Sequence, residues 1–143
     1  MDLATPFENH APIPAKYTAD GQDVSPKIAI KGVPTEAKSL VLIVDDPDAP
    51  RGTFVHWVVW NIPPDTKELP EGFTLPTQGT NGFGVVGWRG PSPPAGKPHR
   101  YIFKLYALDI PLNLPKGSRK EQVEASMEGH IIAKAETMGT YQR

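Results

Sequence analysis

The chain has 143 residues, sets 15 Lys and Arg against 16 Asp and Glu for a net charge of −1, and contains no Cys. Near-neutrality argues against a nucleic-acid protein, which carries a basic excess. The lack of Cys excludes disulfides, thiolate metal sites, iron–sulfur clusters and Cys nucleophiles.

Hydrophobic residues make up 38 % of the chain, enough for one core, so it reads as a single domain over 1–143. Met1-Asp2-Leu3-Ala4-Thr5-Pro6 has neither a basic n-region nor an apolar h-region, and no signal peptide is expected. No apolar run approaches the roughly 18 residues that cross a bilayer. The expectation is a soluble, cytoplasmic protein.

Short apolar runs divided by 17 Pro and 13 Gly predict a β-rich architecture. In chain order, a weak strand is predicted at Lys27–Ile30, after the Ser25-Pro26 turn signal. Leu40–Val44 is a continuous β-branched and Leu run that ends on Asp45-Asp46. Phe54–Trp60 is apolar on both faces apart from His56, and Tyr101–Leu108 is broken only by Lys104. Runs apolar on both faces belong to central, doubly covered strands. Thr74–Pro98 is too rich in breakers to be strand throughout, and a structured loop of that length usually has a function. A helix is predicted from a capping box at Ser118–Glu121, continuing through Val123, Met127, Ile131 and Ala135 to a stop at Gly139. The charges Arg119, Lys120, Glu121, Glu124 and Glu128 read as its solvated face.

Polar groups on or beside core strands are the informative ones. In a regular strand His56 shares a face with Phe54, Val58 and Trp60, where an imidazole must find a partner or titrate abnormally. The alternative is a core histidine bonded to a backbone carbonyl. In Asp45-Asp46-Pro47-Asp48-Ala49-Pro50 the prolines favour extended geometry at the preceding residues. That places Asp46 and Asp48 on one side, where they pair, hold a cation or orient a histidine; otherwise they cap a local turn. Gly84–Gly96 combines exposed amides with stiff prolines, which suits an anion. His99 and Tyr101 lie two apart and share a face.

Taken together, Asp46-Pro47-Asp48-Ala49-Pro50, Phe54–Pro63 and Gly87-Trp88-Arg89-Gly90-Pro91-Ser92-Pro93-Pro94-Ala95-Gly96 running into His99-Arg100-Tyr101 resemble the phosphatidylethanolamine-binding protein family, also called Raf-kinase-inhibitor-like proteins. The likeness is to its short prokaryotic members and covers essentially the whole chain. It implies a mainly-β, β-sandwich-like fold of Greek-key type with one or two short peripheral helices, one of them C-terminal. It also implies a small anion pocket for phosphate or phosphorylated headgroups, built from Asp46, Asp48, His56, Pro94, His99 and Tyr101, with amides from the loop starting at Gly90. The family has a cis peptide where Ala49-Pro50 stands here. Trp88 replaces a usual Tyr, Lys97-Pro98 intervene before His99, and the C-terminal helix of the longer eukaryotic members is lacking.

The expected mechanism is charge-assisted binding of an oxyanion by a carboxylate-supported imidazolium, the Tyr101 hydroxyl and loop amides. The function expected is a non-catalytic binding protein, with no cofactor and no metal. The alternative is a chymotrypsin- or elastase-type serine protease inhibitor or a kinase inhibitor acting through surface loops. An enzyme is disfavoured, since no nucleophile elbow, His-Glu-x-x-His or phosphate-loop motif occurs. A homodimer is possible by analogy with prokaryotic relatives. His10 and His130 are assigned no role.

Overall fold

A computed structural model describes residues 1–143. In chain order it contains β1 (Asp2–Ala4), a 3-10 turn (Ala15–Tyr17), β2 (Ile28–Lys31), β3 (Ser39–Asp46), β4 (Phe54–Ile62), β5 (Glu68–Leu69), β6 (His99–Leu108), α1 (Lys120–Met127) and β7 (Ile131–Tyr141). Two antiparallel sheets form, one ordered β1-β2-β5 and the other β4-β3-β6-β7. The expected mainly-β sandwich is what the chain adopts.

Two of the doubly apolar runs, β3 and β6, lie inside the larger sheet, whereas the third, β4, is its edge strand, largely buried and flanked on its outer side by hydrogen bonds to Thr77 and Gly79. Every residue of β3 is buried, and alternation divides it between two cores. Leu40, Leu42 and Val44 join Trp57, Val59, Tyr101, Phe103 and Leu105 between the sheets. Val41 and Ile43 pack with Val58, Trp60, Leu108, Val123 and Met127 beneath α1.

The predicted helix stops early. Gly129 takes φ +80° and the His130 N–H donates to the Met127 carbonyl, after which Ile131–Tyr141 pairs with β6. The four-residue spacing of Val123, Met127, Ile131 and Ala135 hid a second pattern. Ala133, Ala135, Thr137 and Gly139 alternate with Lys134, Glu136 and Met138, which is the period of a strand. The helix start also differs. Ser118 donates to the Pro115 carbonyl instead, and Gln122 Oε1 accepts from the Arg119 N–H.

Lys120 does not lie on a solvated face. Its Nζ reaches Asp45 Oδ2 at 2.8 Å, and Lys104 Nζ reaches the same oxygen at 3.0 Å. Asp45 is fully buried, and its Oδ1 has no partner. Such a carboxylate is tolerable in a core only because two ammonium groups compensate it. Asp45→Asn strips both lysines of their counter-charge and should cost about 3 kcal/mol of unfolding free energy, measured by urea or guanidinium denaturation. A loss within experimental error of zero would contradict this role.

Candidate functional site

β3 ends on two carboxylates that face opposite ways. Asp45 turns under α1, while Asp46 turns to the end of the sandwich, 3 % exposed. Asp46 Oδ2 accepts from His99 Nδ1 at 2.6 Å, and Oδ1 accepts from the Asp48 N–H at 2.7 Å. Since an ionised carboxylate only accepts, the His99 proton sits on Nδ1 and Nε2 is left to the space in front of it.

His56 arrives by a different device. Val44 pairs with Trp57 but Asp45 pairs with Val55, so His56 is the extra residue of a β-bulge. A bulge resets side-chain alternation and re-aims the residue it inserts. The face-sharing expected from strict alternation therefore holds for Phe54, which lines the cavity beside His56, and fails for Val58 and Trp60, which pack beneath α1 while His56 turns to the cavity at the end of the inter-sheet core. His56 Nδ1 donates to the Arg89 carbonyl at 2.6 Å, which leaves Nε2 free. The carbonyl-bonded alternative and the cavity-lining one both hold for this residue.

A cavity of about 190 Å³ collects Asp46, His56, His99 and Tyr101 with Phe54, Phe83, Ala49, Pro50, Ser92, Pro93 and Pro94. Its walls are aromatic. The His56 ring meets Tyr101 at 5.2 Å and Phe54 at 5.2 Å between centroids, and Phe54 meets Phe83 edge-on at 4.8 Å. Three polar groups face the space without a partner in the chain: the two Nε2 atoms and the Tyr101 hydroxyl. A wider groove of about 490 Å³ lies between Ile30–Val33 and Pro64–Lys67, but it holds no buried polar side chain.

Asp48 and Gly90 do not line the cavity. Both Asp48 oxygens grip the Arg100 guanidinium at 2.9 Å, and Oδ2 also accepts the Arg100 N–H. The Gly90 N–H is consumed by Asp23 Oδ1 at 2.8 Å, and the same oxygen accepts from Trp88 Nε1. The Ala49-Pro50 bond is trans, like every peptide bond in the chain. Pro50 begins a turn closed by the Gly52 N–H on the Ala49 carbonyl, a position at which a trans proline fits. The proline-rich loop is lashed down by the chain terminus: Arg143 donates to the Pro93 carbonyl and Gln142 to the Gly96 carbonyl. No group of three or more His, Asp or Glu is placed to hold a metal ion.

Sequence reasoning missed Phe54 and Phe83 as walls and Asp23 as the loop anchor. Phe83 was legible only as an aromatic between two glycines. His10 lies outside the cavity, and His130 forms an exposed pair with Asp109.

Burial pushes the His56 imidazole below its usual range, outweighing the Arg89 carbonyl and the more distant Asp46. The expected carboxylate-supported imidazolium is thus not formed at His56, whose contact is a carbonyl. Burial also raises the Tyr101 hydroxyl, which stays a donor at neutral pH. The Arg100 contact holds Asp48 down at about 2.

Residues 4–142 match the family model described as phosphatidylethanolamine-binding protein. A UPF0098 protein of Pyrococcus abyssi is 50 % identical, the alignment covering 100 % of this chain and 85 % of that one. One of Aquifex aeolicus is also 50 % identical, over 96 % of this chain and 85 % of its own. The crystal structure of CT736, a phosphatidylethanolamine-binding protein homolog from Chlamydia trachomatis, superposes with a TM-score of 0.94 at 45 % identity, covering 99 % and 97 % of the two chains. YbcL of E. coli gives 0.89 at 30 % identity, covering 99 % and 98 %.

A lowered His56 means that the unfolded chain takes up a proton near pH 6.5 that the fold resists, so stability falls as pH drops below that value. Asp48 adds a second loss as pH falls through about 4 towards its folded value of about 2. In denaturation against pH, His56→Asn should flatten the upper stage and leave the lower one. An unchanged upper stage would contradict the assignment.

Proposed function

The chain belongs to the phosphatidylethanolamine-binding protein family, and from that premise we propose that its cavity binds a phosphate-type oxyanion, free or as the head of a phosphorylated ligand, without acting on it chemically. The observation that carries this reading is the convergence of His56 Nε2, His99 Nε2 and the Tyr101 hydroxyl, unused by the chain, on one small space. His99 Nε2 is a donor once the ring carries a second proton, and the Asp46 carboxylate bonded at Nδ1 holds the ring in place behind it. Tyr101 donates directly, and Phe54, Phe83 and the prolines supply apolar walls beside these groups.

The neutral His56 fixes the proton balance. Its bare Nε2 suits an oxyanion that brings its own proton, or it takes a proton up when a fully ionised ligand enters. Both routes give the same thermodynamics: binding carries a proton in, so affinity falls as pH rises past the ligand's second ionisation, near 6 for a phosphomonoester. Asp48 and Arg100 act at one remove. Their bidentate pair holds the Asp46–Pro50 turn against the start of β6.

The loop alternative of protease inhibition finds no specific support here. Pro91 and Pro93 are buried and their carbonyls are held by Ala19 and Arg143, while Pro94–Pro98 are exposed. No helix is long and apolar enough to cross a membrane.

Isothermal titration with inorganic phosphate should show one site whose affinity falls between pH 6 and 8. His99→Ala and Tyr101→Phe should each weaken it about tenfold, the loss of one hydrogen bond to a charged group. Binding that is flat with pH, or indifferent to both substitutions, would reject the reading.

A further inference from the structure

The two cavity histidines are unequal as nucleophiles. Each shows the cavity an Nε2 unused by the chain, and each is held at Nδ1. A neutral imidazole with its proton on Nδ1 carries its free lone pair on Nε2. An electrophile that bonds there leaves the ring cationic, and a buried cation without counter-charge is costly. His56 has only the Arg89 carbonyl behind it, and burial already holds its ring below the usual range. His99 has the Asp46 carboxylate behind it at 2.6 Å. That carboxylate meets the new positive charge across a hydrogen bond already made. The cavity is open to a small donor: Pro50, Phe83 and Pro94, which line it, are exposed.

We propose that His99 is a phosphoryl-acceptor site, its Nε2 taking a phosphoryl group from an acyl phosphate to form a phosphohistidine that fills the cavity. Histidine is among the side chains that form such covalent adducts. The Nε2 lone pair forms the N–P bond as the P–O bond to the acyl group breaks. The acyl carboxylate leaves with that electron pair as a stable anion. The Nδ1 proton stays between the ring and Asp46, so no proton is drawn from outside, and nothing is oxidised or reduced. The Tyr101 hydroxyl donates to the phosphoryl oxygens as they pass to His99. Alkyl phosphates and inorganic phosphate do not react in this way. Their leaving alkoxide or hydroxide needs a proton. The Nε2 of a neutral His56 has none to give, and burial holds the Tyr101 proton more tightly than usual. Such ligands are bound and released unchanged. The proposal rests on the oxyanion reading for what draws the phosphoryl group to His99. It adds a second state of the same cavity, in which the covalent group excludes the free ligand.

Acetyl phosphate is the probe. The full chain incubated with it at neutral pH should gain one phosphoryl group in its intact mass, lost in acid and kept in alkali, as a phosphoimidazole behaves. Tryptic mapping in alkali should find the group in peptide 90–100, which holds His99, and not in peptide 52–67, which holds His56. His99→Gln should abolish the gain, and His130→Gln, outside the cavity, should leave it. Calorimetric binding of inorganic phosphate should be lost once the chain is modified. No gain, an acid-stable gain, or a phosphoryl group on any residue but His99 overturns the proposal, as does a modified chain that still binds phosphate. Titration of the unmodified chain with phosphate judges the oxyanion reading separately: binding without modification fells this proposal alone, and absence of both fells the two together.

Discussion

A central strand that is buried on both faces and ends on two ionised side chains must find counter-charge on both sides. That constraint organises this molecule. β3 carries Asp45 under α1 and Asp46 at the end of the sandwich, both buried. Two lysines meet the first, one from β6 and one from α1. His99, from β6, meets the second. Removing such charges from water is costly unless each is compensated, so these pairs fix where β6 and α1 lie against β3. The orientation of His99 follows from that placement, not from any loop.

His56 is set by backbone geometry rather than by charge. A one-residue bulge in β4 takes it out of the alternation that would have put it beneath α1 and sends it into the cavity. The two imidazoles are thereby made unequal. One is backed by a carboxylate and the other by a carbonyl, and burial keeps the second neutral. Unequal histidines beside a phenol suit a ligand that shares a proton with its site. Two permanent cations there would bind any anion less selectively.

Much of this was legible in the residues. The runs Leu40–Val44, Phe54–Trp60 and Tyr101–Leu108 became β3, β4 and β6 because apolar residues on both faces demand cover on both faces; β3 and β6 are central as expected, while β4 finds its cover at the sheet edge. His99 and Tyr101 do share a face, and Asp46 does orient a histidine. What escaped depended on tertiary context. A bulge at His56 leaves no mark in the local sequence. Asp48 and Gly90 carry the motif, but their polar groups are spent on Arg100 and Asp23, partners that only the fold brings near. Ile131–Gly139 fits a helical period and a strand period alike, and Gly129 with the waiting edge of β6 decides between them.

The most direct test of the central claim is to follow the imidazole nitrogens by NMR as inorganic phosphate is added. The account predicts that the Nε2 resonances of His56 and His99 move together and saturate together, while His10 and His130 stay still. Movement of His10 or His130 instead, or no movement of either cavity imidazole, would contradict it.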